Sequence, residues 1–381
     1  MPAFDSLSRR LGVLAAILGT YGASVYWREG LSLSHYDAKA HLVVARRILD
    51  SIAPSWEQIG AVWLPLPHVL NALPVQIDWM YRTGASAIAI SIASFAITVA
   101  CISAIVRASN GTRTGAILAA ALFALNPNVL YLQSTPMTEP LLFALSSLVV
   151  LYLTQWAMAD DLKIRKAVGW TIVLACLTRY EAWPIVGVAM ALAAIVKWRR
   201  GPQQARIAQT HSHGLDVARE IAKLAMYPAL TVLFFMGMSY ASTGAWFVTG
   251  GFYVPDPTLQ GQLGAVWEAI RSGVVSLAGS TLTDAAEMCA ALLLLFAVTR
   301  QKWSVMVMPI ALLASIALPI YAFHSGHPFR IRYEVPLILG AAACVGTAVS
   351  MLRLAAPVAA LPLLFFVVQE APPFNRASPV I

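Results

Sequence analysis

The stretch LSHYDAKAHLVVARRILDSIAPSWEQIGAVWLPLPHVL, residues 33–70, decides how this chain is interpreted, because it is polar and lies between two hydrophobic runs. Its ionisable side chains include Asp37, His41, Arg46, Arg47, Asp50, Glu57 and His68. Such groups are costly beside a membrane span unless they serve a function there. We therefore predict that residues 33–70 carry the chemistry of the protein.

The composition is that of a polytopic membrane protein. Of the 381 residues, 59% are hydrophobic and 12% are charged, against roughly 25% charged residues in average soluble domains. The net charge of +8 does not indicate nucleic acid, because no basic patch is interleaved with stacking aromatic residues. Lysines and arginines that orient membrane spans account for it. The four cysteines lie in apolar runs without a CxxC pair, and we predict free, packed thiols.

The hydrophobic runs predict about eleven transmembrane helices, since crossing a bilayer takes about 20 mainly apolar residues. The predicted spans are 11–27, 85–106, 114–132, 137–157, 167–178, 182–197, 223–241, 282–299, 303–323, 335–352 and 354–369. Many more apolar runs follow the first one, so we predict an uncleaved helix. The stretch 167–178 is too short to cross unaided. Either the bilayer thins there, or Arg179 and Glu181 lie below the surface inside the bundle.

The positive charges predict the orientation. Loops on one side carry 16 of the 26 lysines and arginines, and the bias recurs from loop to loop. Because cytoplasmic loops are enriched in these residues, we predict a cell-membrane protein with a cytoplasmic N-terminus. Residues 28–84 are then the first outer loop, 243–280 a later outer loop, and 198–222 a cytoplasmic loop. Residues 1–381 are predicted to form a single membrane domain.

Two further patterns narrow the functional classes. The sequence contains neither a Gly-x-Gly-x-x-Gly motif nor a Walker-type loop, and the short cytoplasmic loops leave no room for a nucleotide-binding domain. No internal repeat is visible, which counts against transporter folds built from repeated halves. We therefore predict chemistry on the outer face, without ATP or a nucleotide sugar.

Asp37 is the first candidate catalytic residue. Residues 34–41 can begin a helix with Ser34 or Asp37 as the cap, and Asp37 and His41 then share a face at a spacing of four. A carboxylate here can act as a general base that accepts the proton of an acceptor hydroxyl. The alternative is an interfacial amphipathic helix in which Asp37 is only the N-cap.

Two proline-containing motifs follow. Trp63-Leu64-Pro65-Leu66-Pro67-His68 predicts a stiff turn. Trp63 and His68 either line a sugar or lipid site there or belong to an aromatic belt. Asn126-Pro127 predicts a kink in the third span, and Glu139 begins the fourth. A carboxylate at the mouth of a bundle is either functional or a cap of the helix dipole.

Two arginine-containing motifs complete the candidates. Arg179 and Glu181 form either a buried ion pair or part of a phosphate or sugar site. The segment with Arg330, Arg332 and Tyr333 breaks the charge bias. This favours phosphate binding by arginine forks over snorkelling at a membrane end.

A divalent metal ion is a candidate cofactor. Asp37, His41 and Glu139 offer oxygen and nitrogen atoms that suit such a cation. No HExxH spacing is present, so the residues themselves leave the metal open.

Taken in order, these motifs resemble those of the GT-C fold glycosyltransferases, and in particular the protein O-mannosyltransferase and lipid A aminoarabinose transferase branch. The matching pieces are Tyr36-Asp37-Ala38-Lys39-Ala40-His41, Trp63-Leu64-Pro65-Leu66-Pro67-His68, Asn126-Pro127 through Thr138-Glu139-Pro140, Leu177-Thr178-Arg179-Tyr180-Glu181 and Arg330-Ile331-Arg332-Tyr333. They cover most of residues 30–200 and a short patch beyond.

The resemblance implies an all-α membrane enzyme with a helical first outer loop. Such an enzyme moves a sugar from a polyprenyl-phosphate carrier to an acceptor hydroxyl on the outer face, with inversion. By position, Asp37 would be the general base, Glu139 would support the acceptor or a metal, and Arg332, with Arg330, would hold the donor phosphate. The predicted substrate-binding residues are His41, Trp63, His68, Arg179, Glu181, Arg330, Arg332 and Tyr333.

The expected partners are the lipid-linked donor, membrane lipid, and an acceptor glycan, lipid or protein. The alternative class is a non-enzymatic membrane transporter or lipid-sugar flippase, and a third is a structural subunit of a cell-envelope assembly. Ionisable groups deep in several spans would favour transport. Most of the predicted spans lack such groups.

Overall fold

The computed structural model describes residues 4–201, 210–248 and 253–381, and every regular element within them is a helix. The α-helices are α1 (Ser6–Arg28), α2 (Tyr36–Arg47), α3 (Leu66–Ala72), α4 (Asp78–Thr83), α5 (Ala85–Ala108), α6 (Arg113–Ala124), α7 (Pro127–Leu132), α8 (Glu139–Met158), α9 (Lys166–Cys176), α10 (Ala182–Arg200), α11 (Thr210–Thr243), α12 (Leu263–Ala278), α13 (Ser280–Thr299), α14 (Ala317–His324), α15 (Val335–Val349) and α16 (Ala356–Glu370). Segments of 3₁₀ helix are Trp56–Ile59, Pro74–Gln76, Gln301–Ile316, Ile331–Glu334 and Ser350–Ala355. The predicted all-α class is confirmed.

Seven segments of the described chain are long and apolar enough to cross a membrane. They are Ala85–Ala108, Glu139–Met158, Ala182–Arg200, His213–Thr243, Ser280–Thr299, Ser304–His324 and Ile331–Glu370. The helices α6 and α9 are apolar but shorter, and α1 is long but is not among the seven. The predicted membrane class is supported, whereas the predicted count of eleven spans is not confirmed.

The segment Ile331–Glu370 contains a reversal of the chain, so it holds two predicted spans. Arg353 has a positive φ of 54° and interrupts the helical path. At this end, Ser350 Oγ lies 3.3 Å from Thr112 Oγ1. At the far end of α16, the backbone N–H of Thr281 donates to Glu370 at 2.9 Å. The helices α15 and α16 therefore run in opposite directions, as the separate spans 335–352 and 354–369 predict.

Asn126-Pro127 divides the predicted third span into α6 and α7. Pro127 has no N–H to continue the helix, and the side chain of Asn126 accepts hydrogen bonds from the N–H groups of Asn128 and Val129 at 3.0 and 3.3 Å. The break turns the chain into the buried segment from Gln133 to Thr138, which leads directly to Glu139. The predicted kink thus has a structural effect: it brings the start of α8 into the interior.

The bundle core positions the start of α15 beside the start of α8. The helices α5 and α8 are the most buried of the seven long segments, and α15 is buried along its whole length. A Cβ atom added at Gly115 would lie 2.2 Å from the carbonyl oxygen of Gly346. Because both positions are glycine, α6 and α15 approach at backbone contact, as small residues permit between membrane helices.

Residues 28–84 fold into the short helices α2, α3 and α4, as the helical first loop predicts. The N-cap of α2 is His35, whose Nδ1 accepts from the N–H of Asp37 at 3.2 Å. Neither Ser34 nor Asp37 holds the cap position that we expected of one of them. Arg46 binds both Asp50 and Asp78, at 2.8 and 2.6 Å, and so ties α2 to α4.

Two other predicted loops are partly helical. In 198–222, α10 extends to Arg200 and α11 begins at Thr210, and residues 202–209 lie outside the described residues. In 243–280, α12 occupies Leu263–Ala278, and residues 249–252 lie outside the described residues.

Candidate active site

Arg332 joins two carboxylates that are far apart in the sequence. It lies in the 3₁₀ segment Ile331–Glu334, directly before α15. Its Nη2 is 2.6 Å from Asp37 Oδ2, and its Nε is 3.1 Å from Glu139 Oε1. The start of α2, the start of α8 and the start of α15 therefore meet at this guanidinium group.

Arg179 extends the same network from the short connection between α9 and α10. Its Nη1 is 3.1 Å from Glu139 Oε1, and its Nη2 is 2.5 Å from Glu181 Oε1. The same Nη1 donates to Thr138 Oγ1 at 3.0 Å. Glu139 is thus held between two arginines at ion-pair distance, while neither of its oxygens accepts a hydrogen bond from the described residues.

Two guanidinium groups and three carboxylates share this buried network. Glu139 is 0% exposed, Glu181 1% and Asp37 6%. Isolated charges would not be stable at such burial, so each depends on its partners. Although burial alone would lower it, the carboxylates of Glu139 and Glu181 raise the pKa of Arg179 above its ordinary value. Glu139 is also the first residue of α8, where the helix dipole favours a negative charge.

Two histidines and a tryptophan pack beside the ion network. His41 Nδ1 and His68 Nε2 are 3.0 Å apart, and the ring centres of His41 and Trp63 are 4.5 Å apart. Burial, the neighbouring His68 and the charge of Arg332 lower the pKa of His41 well below its ordinary value. Burial lowers the pKa of His68 to about 4. Both imidazoles are therefore neutral at pH 7. The positive charge beside the cavity comes from the two arginines and not from the histidines.

A cavity of about 490 Å³ opens in front of the two arginines. The charged side chains that line it are Arg179, Arg332 and Glu181. Aromatic and histidine side chains contribute much of its wall, namely His41, Trp63, His68, Tyr180, Trp183, Phe247, Tyr253, Tyr321, His327 and Tyr333. Asp37 and Glu139 do not line the cavity; they lie behind Arg332. A ligand in the cavity would therefore meet the guanidinium groups before either of these carboxylates.

Most of the residues singled out in the sequence converge on this network and cavity. Asp37, Glu139, Arg179, Glu181 and Arg332 form the ion network. His41, Trp63, His68 and Tyr333 line the cavity. The exception is Arg330, whose side chain is exposed and does not line it.

Several further residues of the site were not singled out from the sequence. Thr138 accepts a hydrogen bond from Arg179, and Tyr180, Trp183 and Phe247 line the cavity. Tyr180 and Thr138 adjoin Arg179 and Glu139, so their position next to two candidates was a usable signal. Phe247 follows the end of α11 and carries no such signal.

The candidate metal ligands do not form a cation site in this arrangement. Within the described residues, no three histidine, cysteine, aspartate or glutamate side chains are grouped so as to hold a metal ion. The guanidinium of Arg332 lies between Asp37 and Glu139, and His41 faces His68. A cation bound by Asp37, His41 and Glu139 would first have to displace Arg332.

Comparison with known proteins gives information about the fold. No family model matches the sequence, and no curated protein matches it. Among solved structures, the chain resembles the Archaeoglobus fulgidus oligosaccharyltransferase, crystallised in complex with Zn and sulfate, with a TM-score of 0.53 and 13% sequence identity. The match covers 96% of this chain and 54% of the other, so this chain spans about half the length of that protein. At this identity the likeness supports the predicted GT-C fold, and it does not extend to a substrate.

Proposed function

We propose that this chain is a membrane glycosyltransferase that moves a sugar from a polyprenyl-phosphate carrier to an acceptor hydroxyl on the outer face of the membrane. The acceptor belongs to a glycan, a lipid or a protein. The proposal rests on one observation above the others: Arg332 contacts Asp37 and Glu139 together, at the edge of a cavity with aromatic walls. The fold likeness to an oligosaccharyltransferase supports the same class.

The first part of the proposed chemistry concerns the leaving group. Cleavage of the bond between the sugar and its phosphate leaves an electron pair and a growing negative charge on the phosphate oxygen. The guanidinium groups of Arg332 and Arg179 face the cavity, where a phosphate would meet them. Preorganised cations in a site with little water stabilise such developing charge strongly. Arg330 lies outside the cavity wall, so we assign the phosphate contact to Arg332 and Arg179.

The second part concerns the acceptor. Its hydroxyl oxygen forms the new bond to the sugar carbon as the bond to the phosphate oxygen breaks. Its proton passes to the carboxylate of Asp37, which lies behind Arg332 and is exposed to the acceptor when Arg332 turns to the phosphate. Attack and departure on opposite faces of that carbon make one displacement, which inverts the configuration. Glu139 supports the reaction by holding Arg332 and Arg179 in place through its carboxylate.

Donor binding and release of the base are coupled in this scheme. Asp37 is paired with Arg332, so its carboxylate is held by the guanidinium group and is not free to contact an acceptor. A donor phosphate that binds Arg332 competes with Asp37 for the same N–H groups. Binding of the donor therefore frees the base, so that acceptor deprotonation follows donor binding.

The aromatic walls of the cavity suit the sugar and the lipid chain of the donor. Flat rings such as Trp63 and Tyr333 pack on the apolar faces of a sugar, and both line the cavity. The lipid chain enters sideways between helices beside residues 243–280, where Phe247 and Tyr253 line the cavity. Membrane lipid is the surrounding partner, and nothing in the composition suggests nucleic acid.

Release of polyprenyl phosphate by the purified full-length chain tests the proposal. The protein in detergent is mixed with a polyprenyl-phosphate sugar and with a fraction that contains candidate acceptors, and free polyprenyl phosphate is quantified. Asp37→Asn should reduce release by a factor of about 10² or more, as expected for loss of a general base. Asp50→Asn is the matched control, because Asp50 lies on the same loop with its side chain 58% exposed.

Transport gives a different result in the same experiment. A flippase moves the intact lipid-linked sugar across vesicles and releases no polyprenyl phosphate. Full activity of the Asp37→Asn variant would remove Asp37 from the mechanism. Movement of intact donor with no release would replace the enzyme by the transporter.

A further inference from the structure

A basic hollow lies at the ends of α9 and α11 that are remote from the cavity. Its volume is about 530 Å³, and five cationic side chains line it, namely Lys163, Arg165, Lys166, Arg219 and Lys223. Asp161, Asp216 and Glu220 also line it, so the positive charges outnumber the negative ones. None of these residues takes part in the chemistry proposed above.

Part of this positive charge has no internal partner. Lys223 pairs with Glu220 at 2.5 Å, and Arg219 pairs with Asp216 at 3.3 Å. Lys163, Arg165 and Lys166 form no ion pair within the described residues, and all three are exposed. Arg165 and Lys166 also flank the N-terminal end of α9, whose dipole is positive there, and no acidic residue lies in its first turn. The arrangement of charge at this point favours an added anion.

Aromatic side chains place this hollow at the level of a membrane interface. Tyr227 lines the hollow and packs edge-to-face with Trp170 at 6.1 Å between ring centres. Trp170 lies one turn into α9 from Lys166 and is 62% exposed. Tryptophan and tyrosine are enriched where the hydrocarbon of a bilayer meets water. Gly169 permits the packing, because a Cβ there would lie 2.5 Å from the ring of Tyr227.

Beyond the aromatic pair, both helices present an apolar surface. Leu174 on α9 and Met226 and Leu230 on α11 are exposed by 39%, 59% and 59%. From the end of α9 inward, the surface therefore changes from cationic to aromatic to aliphatic. A phospholipid changes in the same order, from charged headgroup to glycerol ester to acyl chain. A soluble anion has no acyl chain that could contact the aliphatic surface.

We propose that the hollow formed by α9, α11 and residues 161–166 binds the headgroup of an anionic phospholipid, with an acyl chain along Leu174 and Leu230. Positive charge that only orients a span needs no particular arrangement within its loop. Here the charges come from two segments far apart in sequence and border one concave site beside exposed aromatic rings. Basic pockets between membrane helices bind anionic lipid headgroups in this way.

Native mass spectrometry of the full-length chain in detergent tests this site. The protein is titrated with phosphatidylglycerol and, separately, with zwitterionic phosphatidylcholine. The variant Lys163→Gln/Arg165→Gln/Lys166→Gln should bind phosphatidylglycerol about tenfold or more weakly, since one basic residue near an anionic lipid contributes on the order of fivefold. Binding of phosphatidylcholine should be the same in wild type and variant.

Two control variants separate the site from total charge. Arg9→Gln/Arg10→Gln/Arg113→Gln removes three exposed cations from the same predicted face but outside the hollow, and it should bind phosphatidylglycerol like wild type. Lys163→Arg/Lys166→Arg keeps the charge and should also bind normally. Equal weakening by both glutamine triples, or no weakening by either, overturns the proposal.

A thermal unfolding series with inorganic phosphate distinguishes a lipid from a free anion. Phosphatidylglycerol should raise the unfolding temperature of wild type but not of the Lys163→Gln/Arg165→Gln/Lys166→Gln variant, because a ligand that binds only the folded state stabilises it. Inorganic phosphate should leave both unchanged. If inorganic phosphate raised the unfolding temperature of wild type as much as phosphatidylglycerol does, the site would be one for a soluble anion. That result would overturn the assignment to a lipid.

Discussion

Arg332 Nη2 lies 2.6 Å from Asp37 Oδ2, so the residue that we assign to the donor phosphate is paired with the residue that we assign to the acceptor proton. Both side chains are largely buried, at 15% and 9% exposure. The contact joins residues 37 and 332, so it depends on where the first loop places α2 relative to the 3₁₀ segment Ile331–Glu334. It ties the two halves of the proposed reaction to one guanidinium group.

Replacing Arg332 by lysine tests whether the shape of the guanidinium matters as well as its charge. Lysine keeps the charge but cannot contact Asp37 and Glu139 through separate nitrogens of a planar fork. We expect transfer activity to fall by a factor of about 10² or more, as for the loss of a preorganised donor. The matched control is Arg271→Lys, because Arg271 also contacts two carboxylates but lies 44% exposed on α12. If Arg332→Lys were as active as Arg271→Lys, the assignment of Arg332 to the donor phosphate would be contradicted.

Replacing Glu139 by glutamine should destabilise the fold. Glu139 is fully buried and contacts Arg179 and Arg332, so a neutral side chain leaves two buried cations with one partner fewer. Breaking a buried ion pair in this way costs about 3–5 kcal/mol. Thermal unfolding in detergent should show a clear drop for Glu139→Gln and a small one for Glu29→Gln, whose partner Arg376 is 73% exposed. Similar unfolding temperatures for both variants would refute the structural importance of Glu139.

The sequence predicted this convergence in part, and the limits have physical causes. Asp37, Glu139 and Arg332 were identified because charged groups at the ends of apolar runs are costly and few. The shared contact of Glu139 with two arginines was not foreseen, because it depends on the angles at which α8, α9 and α15 meet. The cap of α2 was missed because serine and aspartate are preferred over histidine at that position, yet His35 occupies it.

The membrane spans were likewise predicted from the sequence only in part. Long apolar runs such as Ala85–Ala108 are evident from composition alone. The stretch 167–178 offered two alternatives, and the burial of Arg179 and Glu181 at 12% and 1% exposure favours their position inside the bundle. Composition could not decide between them, because burial depends on neighbouring helices. The same reason explains why α12 was not predicted within residues 243–280.

The pH dependence of stability should report on His68, with His41 contributing in the same direction because its pKa is also lowered. Burial lowers its pKa from 6.5 to about 4 in the folded protein. Between these values the unfolded chain binds a proton that the folded chain does not, so stability increases with pH in that range. The contribution of His68 is therefore complete above about pH 6.5 and is lost as the pH falls towards 4.

Denaturant unfolding at several pH values between 4 and 7 measures this effect. His68→Phe should flatten the loss of stability at acidic pH, because a phenyl ring has no proton to bind. His213→Gln is the control, since His213 lies on α11 beside Lys197, away from the cavity. An unchanged acidic slope in His68→Phe would show that His68 does not carry the dependence.

Trp63 should contribute to substrate binding more than to the chemical step. Its ring lies 4.5 Å from that of His41 and 5.7 Å from that of His68, and it lines the cavity in front of Arg332. Aromatic contacts add about 0.5–1.5 kcal/mol beyond the area they bury. Trp63→Ala should therefore raise KM for the donor about tenfold, with a smaller change in kcat, whereas Trp63→Phe should retain most of the affinity. Trp79→Ala is the control, because Trp79 is 62% exposed on α4 and does not line the cavity. A fall in kcat at unchanged KM would instead place Trp63 in the reaction itself.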